Sequence, residues 1–239
     1  MKYFFTIIVF ALLLTNADLS YLMAQEAKLK VADSLFQAQK YTDALANYEA
    51  IFGEGSASPA MLTKMAFIQE GLGNYPEALY YLNLHYKHTL EKKTLQKMRD
   101  LAEEHNLYGY EYNDIAFLAN QVSNYQFEII ISLAAFSIFL LFYGYRKRKQ
   151  SEKPAISLVL QVFTLVSIGI LCNDLLSEEA AIVDKDNSMI MSGPSGAAEP
   201  IDFLAKGHKV EVIDQEPLWT EIKWGDDQVF IRTKNLKPL

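Results

Sequence analysis

Hydrophobic and polar positions follow three different rules along this chain. Residues 129–145 (IIISLAAFSIFLLFYGY) and 155–173 (AISLVLQVFTLVSIGILCN) contain no charged side chain. Each is close to the ~20 residues that an α-helix needs to cross hydrocarbon. A helix that is apolar all round must be surrounded by something apolar, and a chain of 239 residues is too small to bury two of them in a protein core. The two stretches therefore predict a pair of membrane helices. Between residues 25 and 125 apolar positions recur at helical spacing, which predicts amphipathic helices. From residue 180 onward they alternate in short runs broken by glycine, proline and serine, which predicts strands and turns. The fold class that follows is a multi-domain membrane protein: all-α helical repeats, a two-helix transmembrane hairpin and a small all-β barrel.

The helical region repeats itself. Tyr41-Thr42-Asp43-Ala44-Leu45 returns as Tyr75-Pro76-Glu77-Ala78-Leu79, and Ala32 returns as Ala66, both at an offset of 34 residues. Ala32 and Ala66 fall inside first helices and Ala44 and Ala78 inside second helices, where a small side chain lets the partner helix approach. Tyr41 and Tyr75 stand just before the second helices and wedge the turn, Gly71 and Gly73 mark the turn of the second copy, and Pro59 opens its first helix. Gln39 occupies the position where the first copy would want glycine. This period resembles that of tetratricopeptide (TPR) repeats, which stack helix–turn–helix units of 34 residues. The resemblance implies a repeat domain over 25–125, with copies at about 25–58 and 59–89. A capping helix over 90–106 would carry Leu90, Leu95, Met98, Leu101 and Ala102 on one side. Tyr108-Gly109-Tyr110 breaks it, and residues 113–125 run as helix towards the first span. The concave surface of such repeats binds a peptide or a partner helix. Leu29, Asp33, Phe36, Thr63, Phe67 and Glu70 are expected to face it, with Phe36 and Phe67 equally open to service as inter-repeat core.

In the β region, residues 181–183, 189–191, 209–213 (KVEVI), 219–224 (WTEIKW) and 228–231 read as strands, with a hairpin turn at Gly225-Asp226-Asp227. Short strands at this spacing suggest a small barrel or sandwich. Met191-Ser192-Gly193-Pro194-Ser195, the Lys209 strand, Trp219 to Ile222 and Phe230-Ile231 together resemble bacterial SH3 domains, with Phe230 where tryptophan is more usual. That implies an SH3-like domain over 180–239, Trp219 in its core and Trp224 exposed beside the hairpin.

Charge turns this pattern into a topology. The net charge of −7 argues against nucleic acid as a partner. Arg146, Lys147, Arg148, Lys149 and Lys153 crowd between the two apolar stretches, and loops rich in lysine and arginine stay cytoplasmic. The spans, taken as 126–145 and 154–173, thus form a hairpin whose basic loop, 146–153, lies in the cytosol; Arg146 to Lys149 are the topology determinants. Pro154 suits the first turn of the second span. Residues 1–24 read as a signal peptide, with Lys2 before the apolar run 4–14; cleavage is expected after Ala24, and the alternative is an uncleaved anchor. The chain is expected in a bacterial inner membrane, passing twice, with both soluble modules in the periplasm.

Catalytic chemistry finds no footing. His85 and His88 are three residues apart but no third ligand has matching spacing. His105 and His208 are isolated, and the single cysteine, Cys172, has no histidine near it. Nucleotide-binding, hydrolase and zinc-protease motifs are missing. The expectation is a non-enzymatic protein without cofactor or metal. The order of parts resembles the TPR/SH3 protein of the Bacteroides aerotolerance (Bat) group. The resemblance implies a scaffold in an envelope-integrity or stress-tolerance assembly, whose companions are membrane proteins with von Willebrand A domains. The alternative is a cell-wall sensor that holds peptidoglycan through the SH3-like domain. Besides protein, the membrane lipid itself is an expected contact of the basic cluster.

Overall fold

The computed structural model describes residues 25–111, 114–150, 155–173 and 179–239. The expected signal peptide and its cleavage site, residues 151–153 of the basic loop and Pro154 lie outside the described residues. Two compact units divide the chain after His85, earlier than the boundary at 125 that the repeat pattern suggested.

The first unit contains α1 (residues 25–37), α2 (Tyr41–Gly53), α3 (Pro59–Gly71) and the start of α4 (Tyr75–Thr89). Its repeat is visible in the backbone, bond for bond. In the α1–α2 turn Gln39 N–H donates to Phe36 O (3.0 Å) and Lys40 N–H to Leu35 O (2.9 Å). In the α3–α4 turn Gly73 N–H donates to Glu70 O (3.0 Å) and Asn74 N–H to Gln69 O (2.9 Å). Each partner is shifted by the 34 residues seen in the sequence. This hydrogen-bond pair closes a helix by passing one residue through the left-handed region, here Gln39 (φ 59°) and Gly73 (φ 75°). Ser58 caps α3 by accepting from Met61 N–H at 3.2 Å, with Pro59 in the first turn. Ala32, Ala44 and Ala78 are wholly buried and Ala66 nearly so, consistent with close helix approach, and Tyr48, Leu62, Met65 and Leu79 fill the core between them.

The second unit runs from Tyr86 to Leu239. Helix α5 (Lys92–Glu104) buries Thr94, Met98, Leu101 and Ala102; Leu90 lies before it, in a turn at φ 53°. Helix α6 (Asp114–Asn124) leads to α7 (Gln126–Lys149), and α8 (Ala155–Cys172) follows. Both α7 and α8 are long and apolar enough to cross a membrane, and only 11% of the apolar window of each is buried within the protein. A helix in the core of a soluble protein would be mostly buried. The basic run is not loop at its start: α7 continues through Arg146, Lys147, Arg148 and Lys149 as its last turn. Cations there complement the negative end of the helix dipole.

The C-terminal sheet has seven antiparallel strands: β1 (Glu179–Val183), β2 (Ser188–Met191), β3 (Pro200–Leu204), β4 (Lys209–Gln215), β5 (Trp219–Trp224), β6 (Asp227–Arg232) and β7 (Leu236–Pro238). Their order is β3-β2-β6-β5-β4-β1-β7. β3 and β7 end the sheet without pairing with each other, so the expected closed barrel is an open sheet. Strands from β1 to β6 nonetheless share one core: Ala181, Val183, Ile190, Leu204, Val210, Ile222, Val229 and Ile231 pack together. Strands so far apart in the order can share a core only if the sheet curves around it. β3 and β7 are the strands the sequence pattern did not foresee; each contains a proline, and proline is tolerated at sheet edges because no ladder donor is needed there. The β5–β6 turn is Gly225-Asp226, with Asp227 already paired to Trp224 and Gly225 at φ 63°, which suits a two-residue hairpin.

Candidate functional sites

The residues expected to line the groove come from α1 and α3. Asp33 and Phe36 share a face of α1 with Leu29, as spacings of three and four residues require. Two of the six, Phe36 and Phe67, meet in one ring cluster, and a third, Asp33, borders it. Phe36, Tyr41 and Phe67 form a ring cluster, every pair edge-on, with centroids 5.4 Å (Phe36–Tyr41), 5.9 Å (Phe36–Phe67) and 5.8 Å (Tyr41–Phe67) apart. Such pairs add about 0.5–1.5 kcal/mol each beyond their burial. Phe36 and Tyr41 are half-buried, whereas Phe67 is 55% exposed. Phe36 thus serves the packing between helices, and Phe67 is the outward member of the cluster.

A polar triad borders the rings. Asp33 Oδ1 accepts from the Tyr48 hydroxyl at 2.5 Å and from Lys64 Nζ at 2.7 Å, and Lys64 stands 5.8 Å above the Phe36 ring. Burial pushes the Asp33 carboxyl up, but the bonds from Lys64 and Tyr48 and the lysine charge outweigh it and hold the carboxyl below its ordinary range. The Tyr48 hydroxyl is raised by its burial and then by the Asp33 charge, so it stays protonated and donating. Leu29 and Glu70 are half-buried on the same two helices, and Thr63 is exposed with its hydroxyl turned back to Pro59 O at 3.0 Å. Sequence reasoning missed Lys64 and gave Tyr41 only a wedging role. The signal for Lys64 was its position one residue after Thr63, on a helix already read as facing the groove.

A second constellation lies on the sheet. Segment 107–111, read from sequence only as a helix breaker, lies against the start of β4. Tyr108 N–H donates to His208 Nδ1 (3.0 Å), Lys209 N–H donates to Tyr108 O (3.0 Å) and the Tyr110 hydroxyl donates to Gly207 O (2.8 Å). Gly109 sits at φ 90°, and a Cβ there would fall 1.9 Å from Lys209 O. Trp224, expected to be exposed, is half-buried and meets the His208 ring at 5.5 Å and the Tyr108 ring at 6.3 Å. Trp219 is buried as expected, with the Arg232 guanidinium 4.1 Å from its ring. Burial lowers the His208 pKa, so the imidazole is neutral and its Nδ1 is free to accept.

The apolar helices meet through small and polar groups. Ser137, Leu140, Ser157, Thr164 and Leu171 are the buried residues of α7 and α8. Gln161 Nε2 donates to Ser137 Oγ and Gln126 Nε2 to Leu171 O, both at 2.6 Å, and Gly144 faces Ser157 so closely that a Cβ would stand 3.1 Å from its hydroxyl. Small residues that admit close approach and polar groups that bond across helices are the usual means of association in lipid. At the basic end, Arg146 caps the Phe142 ring and Lys147 the Tyr143 ring, both at 5.7 Å.

His85 is buried while His88 is exposed, so the two do not form a pair. Among the described residues no three histidine, cysteine or acidic side chains converge on one point. No protein-family model, curated protein or solved structure matches the chain.

Proposed function

We propose that this protein is a two-pass membrane scaffold: α7 and α8 form a hairpin in a bacterial inner membrane, and the TPR-like helical repeat on its periplasmic side docks a protein partner. The observation that carries the reading is Phe67, more than half exposed at the head of a ring cluster that the rest of α1 and α3 holds in place. Aromatic side chains anchored this way are the type that dominates protein interfaces. The 34-residue backbone repeat supports the tetratricopeptide resemblance, and the curved antiparallel sheet is compatible with an SH3-like domain. On that resemblance the assembly is of the aerotolerance type, serving envelope integrity or stress tolerance, with von Willebrand A domain membrane proteins as companions.

The two-pass reading rests on two supports, the first of which also bears on orientation. Carrying the Arg146–Lys149 cluster across hydrocarbon is opposed by about 2.5–3.5 kcal/mol per charge on insertion scales, which favours a cytoplasmic hairpin turn. Independently, residues just before α6 bond to residues at the start of β4: Tyr108 to His208 and Tyr110 to Gly207. The chain between these partners contains both apolar helices, so the contacts favour an even number of crossings between them. A photo-cross-linking residue at Phe67 should capture one dominant protein in cells, while the same probe at the exposed Asp43 should not. Capture of nothing above background at Phe67, or the same products at both sites, contradicts the docking reading.

A further inference from the structure

The second unit has a half-open cavity of about 640 Å³ that the scaffold reading does not use, bounded by α5, segment 107–111 and strands β1, β4 and β5. Its size falls within the ~300–1,000 Å³ of small-ligand sites. Tyr86, Leu95 and Met98 give it an apolar wall. At one corner stand the rings of Tyr108 and Trp224, at 89° with centroids 6.3 Å apart, and the His208 ring packs against both and fixes them. Ring faces carry the negative part of the aromatic quadrupole and attract cations.

The charges lining the cavity point the same way. Three carboxylates, Glu111, Glu179 and Glu211, line it against two ammonium groups, Lys209 and Lys223. Lys223 faces Glu211 at 3.9 Å, and Lys209 is engaged as well. Three carboxylates against two ammonium groups leave the cavity lining with an excess of one negative charge, on the side of Glu111 and Glu179. An anionic ligand would be repelled, and a cationic one attracted.

We infer that this cavity binds a ligand with a primary ammonium at the end of a short apolar stem: the side chain of a lysine or another diamino acid. The stem lies along Leu95 and Met98, and the ammonium sits at the Tyr108–Trp224 corner within reach of the Glu111 and Glu179 carboxylates. The site is distinct from the Phe67 cluster, so its failure would leave the docking reading untouched.

The test is calorimetric titration of the purified full-length chain in detergent micelles with Nα-acetyl-lysine methylamide, and with the norleucine analogue, which keeps the stem and lacks the charge. The lysine probe should bind saturably and about tenfold more tightly than the neutral one. Glu111→Gln and Glu179→Gln, both at exposed positions, should each weaken it about threefold with an unchanged circular dichroism spectrum. No saturable binding, equal affinity for the neutral analogue, or indifference to both substitutions would overturn the assignment.

Discussion

Gln39 holds a backbone conformation that glycine adopts without strain. Its φ of 59° places a side chain where the left-handed region costs an L-residue about 1–2 kcal/mol. Glycine would relieve this but loses more freedom on folding, by roughly 0.5–1 kcal/mol. The same turn carries glycine at position 73, with the same pair of hydrogen bonds. Gln39→Gly should therefore stabilise the protein by about 0.5–1 kcal/mol, read as a higher urea midpoint at unchanged slope. A lower midpoint would mean that the Gln39 side chain contributes something its backbone does not reveal. The sequence made this position legible because the period aligns Gln39 with Gly73.

His208 was not legible in the same way. In the sequence it is an isolated histidine; in the fold its Nδ1 accepts from Tyr108 N–H, which requires the ring to be neutral. Burial depresses its pKa below the ordinary value of 6.5. Below 6.5 the unfolded chain takes up a proton that the folded chain resists, so stability falls as pH drops, down to the depressed pKa of the folded state. Above 6.5 the contribution is complete. Thermal unfolding of the purified chain should show a midpoint that declines as pH falls below about 6.5, and His208→Gln should flatten this part of the profile. An unchanged slope in the variant would assign the pH dependence to other groups.

At the scale of elements, contacts across about a hundred residues in the second unit rest on a short segment. Residues 108–110 bond to 207–209, and the approach is close enough that only glycine fits at position 109. Gly109→Ala meets both a positive φ and a backbone oxygen, so the segment must leave β4 or the strand must move. A loss above about 2 kcal/mol is expected in thermal unfolding. Gly53→Ala, at a helical site with open space around it, should be neutral or slightly stabilising. Equal behaviour of the two variants would show that the segment is not held against β4. Pattern reading recovered the helices and the inner strands because each carries its own periodicity. It missed β3 and β7, which are short or lack a clean alternation and each contain a proline, so they read as loop. It also missed the role of segment 107–111, because a contact across about a hundred residues leaves no local trace. The expected loop at 146–149 is helical because lysine and arginine are good helix formers at a C-terminus, so composition marked the charge but not the backbone.

At the scale of the whole molecule, the proposed function depends on the path of the chain through the membrane. A hairpin puts the helical repeat and the sheet on one side and the Arg146–Lys149 turn on the other. The apolar runs and basic cluster were plain in the sequence. The candidate groove was legible only in part: α1 and α3 were identified, and Asp33, Phe36 and Phe67 do come together, but the supporting Lys64 and Tyr48 depend on packing that periodicity does not encode. The path can be read directly, because Cys172 is the sole cysteine. In a Cys172→Ser background, single cysteines at the exposed positions Ala57, Gln150 and Asp226 report the repeat, the hairpin turn and the sheet. With a membrane-impermeant maleimide on intact spheroplasts, positions 57 and 226 should label at once and position 150 only after lysis. Labelling of 57 and 226 from opposite sides, or of position 150 together with them, would contradict the two-pass hairpin.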